Sequence, residues 1–201
     1  MRITHFTLIG LCLVMSVSVA MAKEKQPAQM DMQAMQAMMD TYKKLAIPGE
    51  PHKQLTSLAG TWTTKTKSWM EPNKPPMEST GACEDKTLLD GRFLQQECTG
   101  EMMGQPFTGI GVHGYDNLTK KYVTTWMDSM GTGIFFMDGT ASADGKTITL
   151  HGSHKDPMGG VMKHRAFWKF VDANSQTFEM YHKGKDGKEM KMMEITYTRK
   201  Q

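Results

Sequence analysis

The chain has 201 residues, 39% of them hydrophobic, with 24 Lys and Arg against 21 Asp and Glu for a formal charge of +3. The bases are scattered and not clustered on one element, so the chain lacks a nucleic-acid footprint, and the near balance of charge points to no membrane partner. The length suits one domain with a substantial core.

Residues 1–22 have the form of an export signal. Arg2 supplies the positive start, Phe6 to Val19 is apolar, and Ala20-Met21-Ala22 is a small-x-small cleavage site. No second apolar run long enough to span a bilayer follows, so the expected product has no integral membrane segment and is periplasmic or secreted. Cys12 leaves with the signal. Residues 23–29 are polar and read as a flexible leader, and residues 30–59 as a helical N-terminal segment. Within that segment Met35, Met38, Met39, Tyr42 and Leu45 recur at three and four residues, the spacing of a docking face on a short amphipathic helix. Pro48-Gly49-Glu50-Pro51 stops this helix, and His52 to Ala59 adds a helical turn that carries Leu55 and Leu58.

From Gly60 onward the pattern changes to short alternating segments separated by Gly, Pro, Asn and Asp turns. Ten strands are predicted, over 60–69, 77–88, 92–102, 107–115, 121–128, 134–141, 147–154, 161–171, 175–182 and 189–199. Nearly all connectors are of hairpin length, which favours an up-and-down antiparallel meander. Closure into a barrel over residues 60–201 removes the exposed edges. On the eighth strand His164, Ala166, Trp168 and Phe170 share one side against Lys163, Arg165 and Lys169.

Two cysteines, Cys83 and Cys98, stand equidistant from the Asp90-Gly91 hairpin signal. A turn centred there sets the two thiols opposite each other on one face, which predicts a disulfide in an oxidising compartment. Two reduced thiols packed as small hydrophobes are the alternative.

Gly60-Thr61-Trp62 on the first strand and Arg199 on the last resemble the calycin arrangement of lipocalins and fatty-acid-binding proteins. That likeness implies that Trp62 plugs one end of the barrel and Arg199 packs across it. More of the chain joins in: Leu58-Ala59-Gly60-Thr61-Trp62, Gly91-Arg92-Phe93-Leu94-Gln95, Met103-Gly104-Gln105-Pro106-Phe107-Thr108-Gly109, Trp126-Met127-Asp128-Ser129-Met130 and Met193-Glu194-Ile195-Thr196-Tyr197. Together these resemble the bacterial domain-of-unknown-function family 1579, over about residues 30 to 200. The likeness implies a fold and no activity, so function has to be argued from a site.

Trp126-Met127-Asp128-Ser129-Met130-Gly131-Thr132-Gly133 places an aromatic, a carboxylate and a hydroxyl beside flexible glycines at one rim. The expectation is a small, partly apolar ligand buried against Trp69, Trp126, Met130 and Tyr181 and oriented by Asp128 and Ser129. Asp128 and Ser129 capping a tight turn, with Trp126 in the core, is the competing reading. Glu97, Glu179 and Glu194 sit on strands, where outward exposure is the common fate of Glu.

No cofactor, catalytic residue or metal site is predicted. The 21 methionines raise Cu(I) as an alternative, since thioethers select that ion, but the helical methionines sit at core or docking spacing. His151 and His154 are three apart on a strand and face opposite sides, which argues against a shared ion. His113, His164 and His182 can each reach a lumen, where a single one could ligate haem, although the Gly-x-Trp-x-Gly-x-Gly pattern of haem-binding nitrobindins is not met after Gly60. An enzyme would need a lumenal pair of His and carboxylate, and no Gly-x-Ser-x-Gly, phosphate loop or His-Glu-x-x-His is present. A structural barrel would have its lumen filled by side chains.

Overall fold

The structure, a computed structural model, describes residues 31–184 and 187–201. The predicted export signal and leader therefore lie outside the described residues. Two helices, α1 (Met32–Leu45) and α2 (Glu50–Thr56), precede ten strands. These are β1 (Gly60–Ser68), β2 (Met77–Leu88), β3 (Phe93–Met102), β4 (Gln105–Asp116), β5 (Lys121–Asp128), β6 (Phe135–Ala141), β7 (Thr147–Lys155), β8 (Val161–Asp172), β9 (Ser175–Lys183) and β10 (Glu189–Arg199). Each strand pairs antiparallel with its neighbours in sequence, and β1 pairs with β10 to close the barrel. The chain divides at Met39/Asp40, within α1, into two compact units, and Asp40–Gln201 holds α2 and the whole barrel.

No residue of α1 is buried, and Met35, Met38 and Met39 of its apolar stripe are exposed. The helical period specifies a stripe on α1; it does not specify a surface to cover it. The Pro48–Pro51 segment stops α1 as expected and also starts α2, with Pro51 in the first turn, where its missing N–H costs nothing. The ring nitrogen Nδ1 of His52 accepts the Gly49 N–H at 3.0 Å, which satisfies a donor at the start of α2.

The strand period sends alternate residues inward, and α2 seals one end of the barrel. Leu55 and Leu58 are buried there with Trp62. The Trp62 indole donates to the Leu58 carbonyl at 2.9 Å, and the Arg199 guanidinium lies 4.2 Å over its ring. Arg199 also donates to the carbonyls of Ser57, Ala59 and Ala173. Gly60 allows this plug: it has φ +134°, and a Cβ there would stand 2.7 Å from Arg199 Nη1. Gln54 on α2 accepts the Tyr122 hydroxyl at 2.8 Å and donates to the Gly145 carbonyl at 2.6 Å, tying the seal to β5 and to the β6–β7 turn.

Cys83 and Cys98 are opposite each other and form a disulfide, with Cα atoms 4.1 Å apart. The turn between them is longer than the two-residue hairpin expected. Leu88 pairs with Phe93, and Leu89, Asp90 and Gly91 all take positive φ. Lengthening a loop by one residue on each side preserves the register, so the pairing survives the change of turn.

Candidate functional site

The inward residues change character along the barrel. At the sealed end they are buried: Trp62, Leu94, Tyr122, Ile148, Leu150 and Trp168. Buried polar pairs lie among and beside them. Gln96 donates to the Asp85 carboxyl at 3.0 Å, Trp168 donates its indole N–H to Gln176 at 2.6 Å, and His113 Nδ1 meets the Thr124 hydroxyl at 2.8 Å. Burial pushes Asp85 up to about 7, outweighing the Gln96 hydrogen bond and the Arg199 charge that favour the carboxylate. Burial likewise pushes His113 down to about 4.

Beyond these pairs the inward residues become half-exposed. Thr66 and Ser68 follow buried Thr64 on β1, Phe178 and Met180 follow buried Gln176 on β9, and Ile195 and Met193 precede buried Tyr197 on β10. Exposure of the inward side chains thus rises away from the sealed end, although Met137 and His164 stay buried in the far half of the barrel. Trp126 forms part of its wall. Its ring stacks on Phe107 at 6.4 Å and lies over Gly109, where a Cβ would stand 2.3 Å from Trp126 Cζ2.

Asp128 and Ser129 fulfil the turn reading in detail. Asp128 Oδ2 accepts the Trp126 indole N–H at 2.8 Å while Oδ1 accepts the Met130 N–H at 2.9 Å. The Ser129 hydroxyl accepts the Thr108 N–H at 3.2 Å, and Met130 is exposed. The carboxylate thus fixes the indole on the inner side of β5, and Trp126 remains only partly buried. Tyr181 and Trp69 lie elsewhere. Tyr181 alternates with inward Met180 and His182, so it faces outward, where its hydroxyl reaches Glu179 at 3.3 Å. Trp69 and Tyr181 flank the Lys191 ammonium at 5.8 and 5.6 Å, on the outer side of β9 and β10. The six residues expected to form one site are therefore split between the lumen wall, the rim and the outer face. Glu179 is outside as well: burial opposes its charge, but hydrogen bonds from Lys169 and Lys191 prevail and hold it below the ordinary range.

Sequence reasoning missed a cluster in the far half of the barrel. His151 and His154 do face opposite sides, but His154 meets His164 across the β7–β8 pair. His164 Nε2 is 3.2 Å from His154 Nδ1, and the two rings stack at 4.9 Å, 6° from parallel. His182, paired with His164 in register, brings a third ring to 5.7 Å. Phe135 stands edge-on to both His154 and His164. The Nδ1 atoms of His164 and His182 are buried without a hydrogen-bond partner. Burial, then the neighbouring His154 and His182, push His164 down to about 4. The hairpin turns carried the signal, since a loop over 172–174 sets residues 164 and 182 opposite each other. Among the described residues, no three His, Cys, Asp or Glu side chains already surround a common point as metal ligands would.

Clefts open on the surface of the described residues. One of about 430 Å³ involves Phe136, Asp138, His151 and Lys163, and one of about 550 Å³ involves Leu45, Phe93, Val112 and Asn117. No described helix is long and apolar enough to cross a membrane.

A closed ten-strand antiparallel up-and-down barrel with a Trp–Arg plug at one end defines a calycin-like protein. Residues 47–199 match the family of proteins of unknown function DUF1579, and the chain belongs to that family. No curated protein matches the chain. The crystal structure of Rv2717c from M. tuberculosis is similar in fold, with a TM-score of 0.57 at 14% identity over 77% of this chain and 100% of that one. A redesigned β-barrel matches at a TM-score of 0.39 and 15% identity, over 73% of this chain and 95% of that one. A de novo designed fluorescence-activating β-barrel matches with the same score and identity, over 71% and 93%. The likeness to Rv2717c bears on fold alone.

Proposed function

We propose that this protein is an exported carrier or receptor that binds a small, partly apolar molecule in the open half of its barrel. The observation that carries this reading is the gradient of inward exposure, from Trp168 and Gln176 at the sealed end to Phe178 and Met180 at the open one. An apolar ligand entering that half removes water from Trp126, Phe107, Phe135, Phe178, Met180 and Ile195, at about 25 cal/mol for each Å² buried. The rim turn at Asp128 keeps the Trp126 ring in place, so little ordering cost falls on binding. The export expected from residues 1–22 agrees with the Cys83–Cys98 bridge, which persists in an oxidising compartment.

The test is titration with 1-anilinonaphthalene-8-sulfonate, followed by native mass spectrometry of protein recovered from its own host. Saturable dye binding that Met180→Lys abolishes and Thr177→Lys, on the outer face of the same strand, retains is the expected result. Equal binding by both variants would refute a lumenal site. A co-purifying organic adduct would identify the ligand.

A further inference from the structure

We propose that the imidazoles of His154, His164 and His182, with thioethers from the same wall, form a Cu(I) site at the mouth of the barrel. Two donors are already spaced for it. At metal–nitrogen distances of about 2.0 to 2.1 Å, two nitrogens on a tetrahedral ion stand about 3.3 Å apart. His164 Nε2 and His154 Nδ1 are hydrogen-bonded at 3.2 Å, and an ion between them would replace that shared proton, which moves to the outer nitrogen of its ring.

The unpartnered, buried Nδ1 atom of His182 is the second observation. A neutral imidazole that donates through one nitrogen carries a lone pair on the other, and burying that lone pair without a partner is unfavourable. His164 is 5% exposed, and with Nε2 as its ligating atom the proton of the neutral ring sits on Nδ1. His182 is not yet turned toward the pair. Rotation of its ring, whose centroid is 5.7 Å from that of His164, would supply a third nitrogen.

The surroundings select the ion. Met162 is directly opposite His154, Met190 is directly opposite His182, and Met180 is the next inward residue on β9. Directly opposed residues on one face of a sheet have Cβ atoms about 5 Å apart, within reach of a long thioether. No inward residue at the open end of β7 to β10 is a carboxylate, and Lys155, Lys163 and Lys183 stand on the outward faces of the same strand ends. Such a site offers imidazole and thioether without anionic charge, which suits monovalent, soft Cu(I) better than Zn²⁺, Mg²⁺ or Ca²⁺. The three strands share this face only through closure of the hairpins, and the site does not depend on an organic ligand being bound.

The experiment is anaerobic titration of the purified protein with Cu(I) alone, against a chromophoric Cu(I) chelator. Ascorbate serves as the reductant, since it leaves the Cys83–Cys98 bridge intact. The expected result is one equivalent bound more tightly than micromolar, with X-ray absorption showing nitrogen and sulfur neighbours. His154 is exposed, so His154→Ala should fold, and it should weaken binding by at least about tenfold, the loss that even an outer-shell change brings. His182→Ala should do the same, while His151→Ala, on the outer face, should leave binding unchanged. Binding no tighter than micromolar would overturn the proposal. So would tight binding that His154→Ala and His182→Ala leave intact, which would assign the ion to other methionines. Dye titration of metal-free protein tests the apolar site separately, and either reading can fail alone.

Discussion

Replacing Asp85 by Asn should stabilise the protein at neutral pH, and the effect can be worked from the structure. Asp85 is 2% exposed, accepts a hydrogen bond from Gln96, and is pushed from 3.8 up to about 7 by burial. A folded-state pKa above the unfolded value means that the native state binds the proton more tightly. Stability from this group is therefore full below about pH 4 and is lost as pH rises toward 7, where the carboxyl ionises in place. A displacement of about three pH units corresponds to about 4 kcal/mol, and Asn, which is neutral and nearly isosteric, never incurs that loss. His113 and His164 act in the opposite direction between about pH 4 and 6.5, so the wild-type profile mixes the terms. The difference between variant and wild type cancels the histidines. Urea unfolding of both proteins, disulfide intact, should show near-equal stability at pH 4 and a gain for Asp85→Asn growing to about 4 kcal/mol by pH 8. A difference that stays flat across this range would refute the assignment of a buried, protonated Asp85.

Other consequences can be tested independently. The imidazole resonances of His113 and His164 should hold their neutral-form shifts from pH 8 down to about 5 and titrate near 4; titration of both near 6.5 would contradict their burial. Because both folded values are depressed, the stability they contribute is present above the unfolded value and lost as pH falls through about 4. Cys83→Ala with Cys98→Ala opens a loop with a sequence separation of 15. The urea midpoint should fall by the equivalent of about 3 kcal/mol, and an unchanged midpoint would show that the bridge does not constrain the unfolded chain. Gly109→Ala drives a methyl to within 2.3 Å of Trp126 Cζ2, so it should cost about 1 to 3 kcal/mol and shift the tryptophan emission. Gly131→Ala, with open space around its Cβ, is the control; identical behaviour of the two variants would remove Trp126 from its place over β4.

Much of this barrel was legible in the chain because its contacts are local. Hairpin turns at Asp90-Gly91, Asp144-Gly145 and Asp172-Ala173-Asn174 set each strand against its neighbour. Alternation then decided which side of β8 carries Ala166 and Trp168. The Cys83–Cys98 pairing follows from the same counting, and it survived an error in the turn because a symmetric lengthening leaves register unchanged. Gly60, Trp62 and Arg199 were recognisable because a plug of this kind demands those side chains at the two ends of the barrel sequence.

What only the tertiary structure decided is where strands that are not adjacent, and side chains that can face either way, end up. Tyr181 and Trp126 were both plausible site residues by type, yet one residue of offset sends Tyr181 to the outer face beside Lys191. The apolar period of α1 did not reveal that Met35, Met38 and Met39 stay exposed, since a stripe encodes no partner. His154 was set aside for its spacing from His151, because the relevant neighbour, His164, lies across a turn and one register diagonal away. Local periodicity determines the elements and their pairing; the depth of a residue along the barrel axis, and with it the line between buried and half-exposed inward residues, depends on closure of β1 against β10.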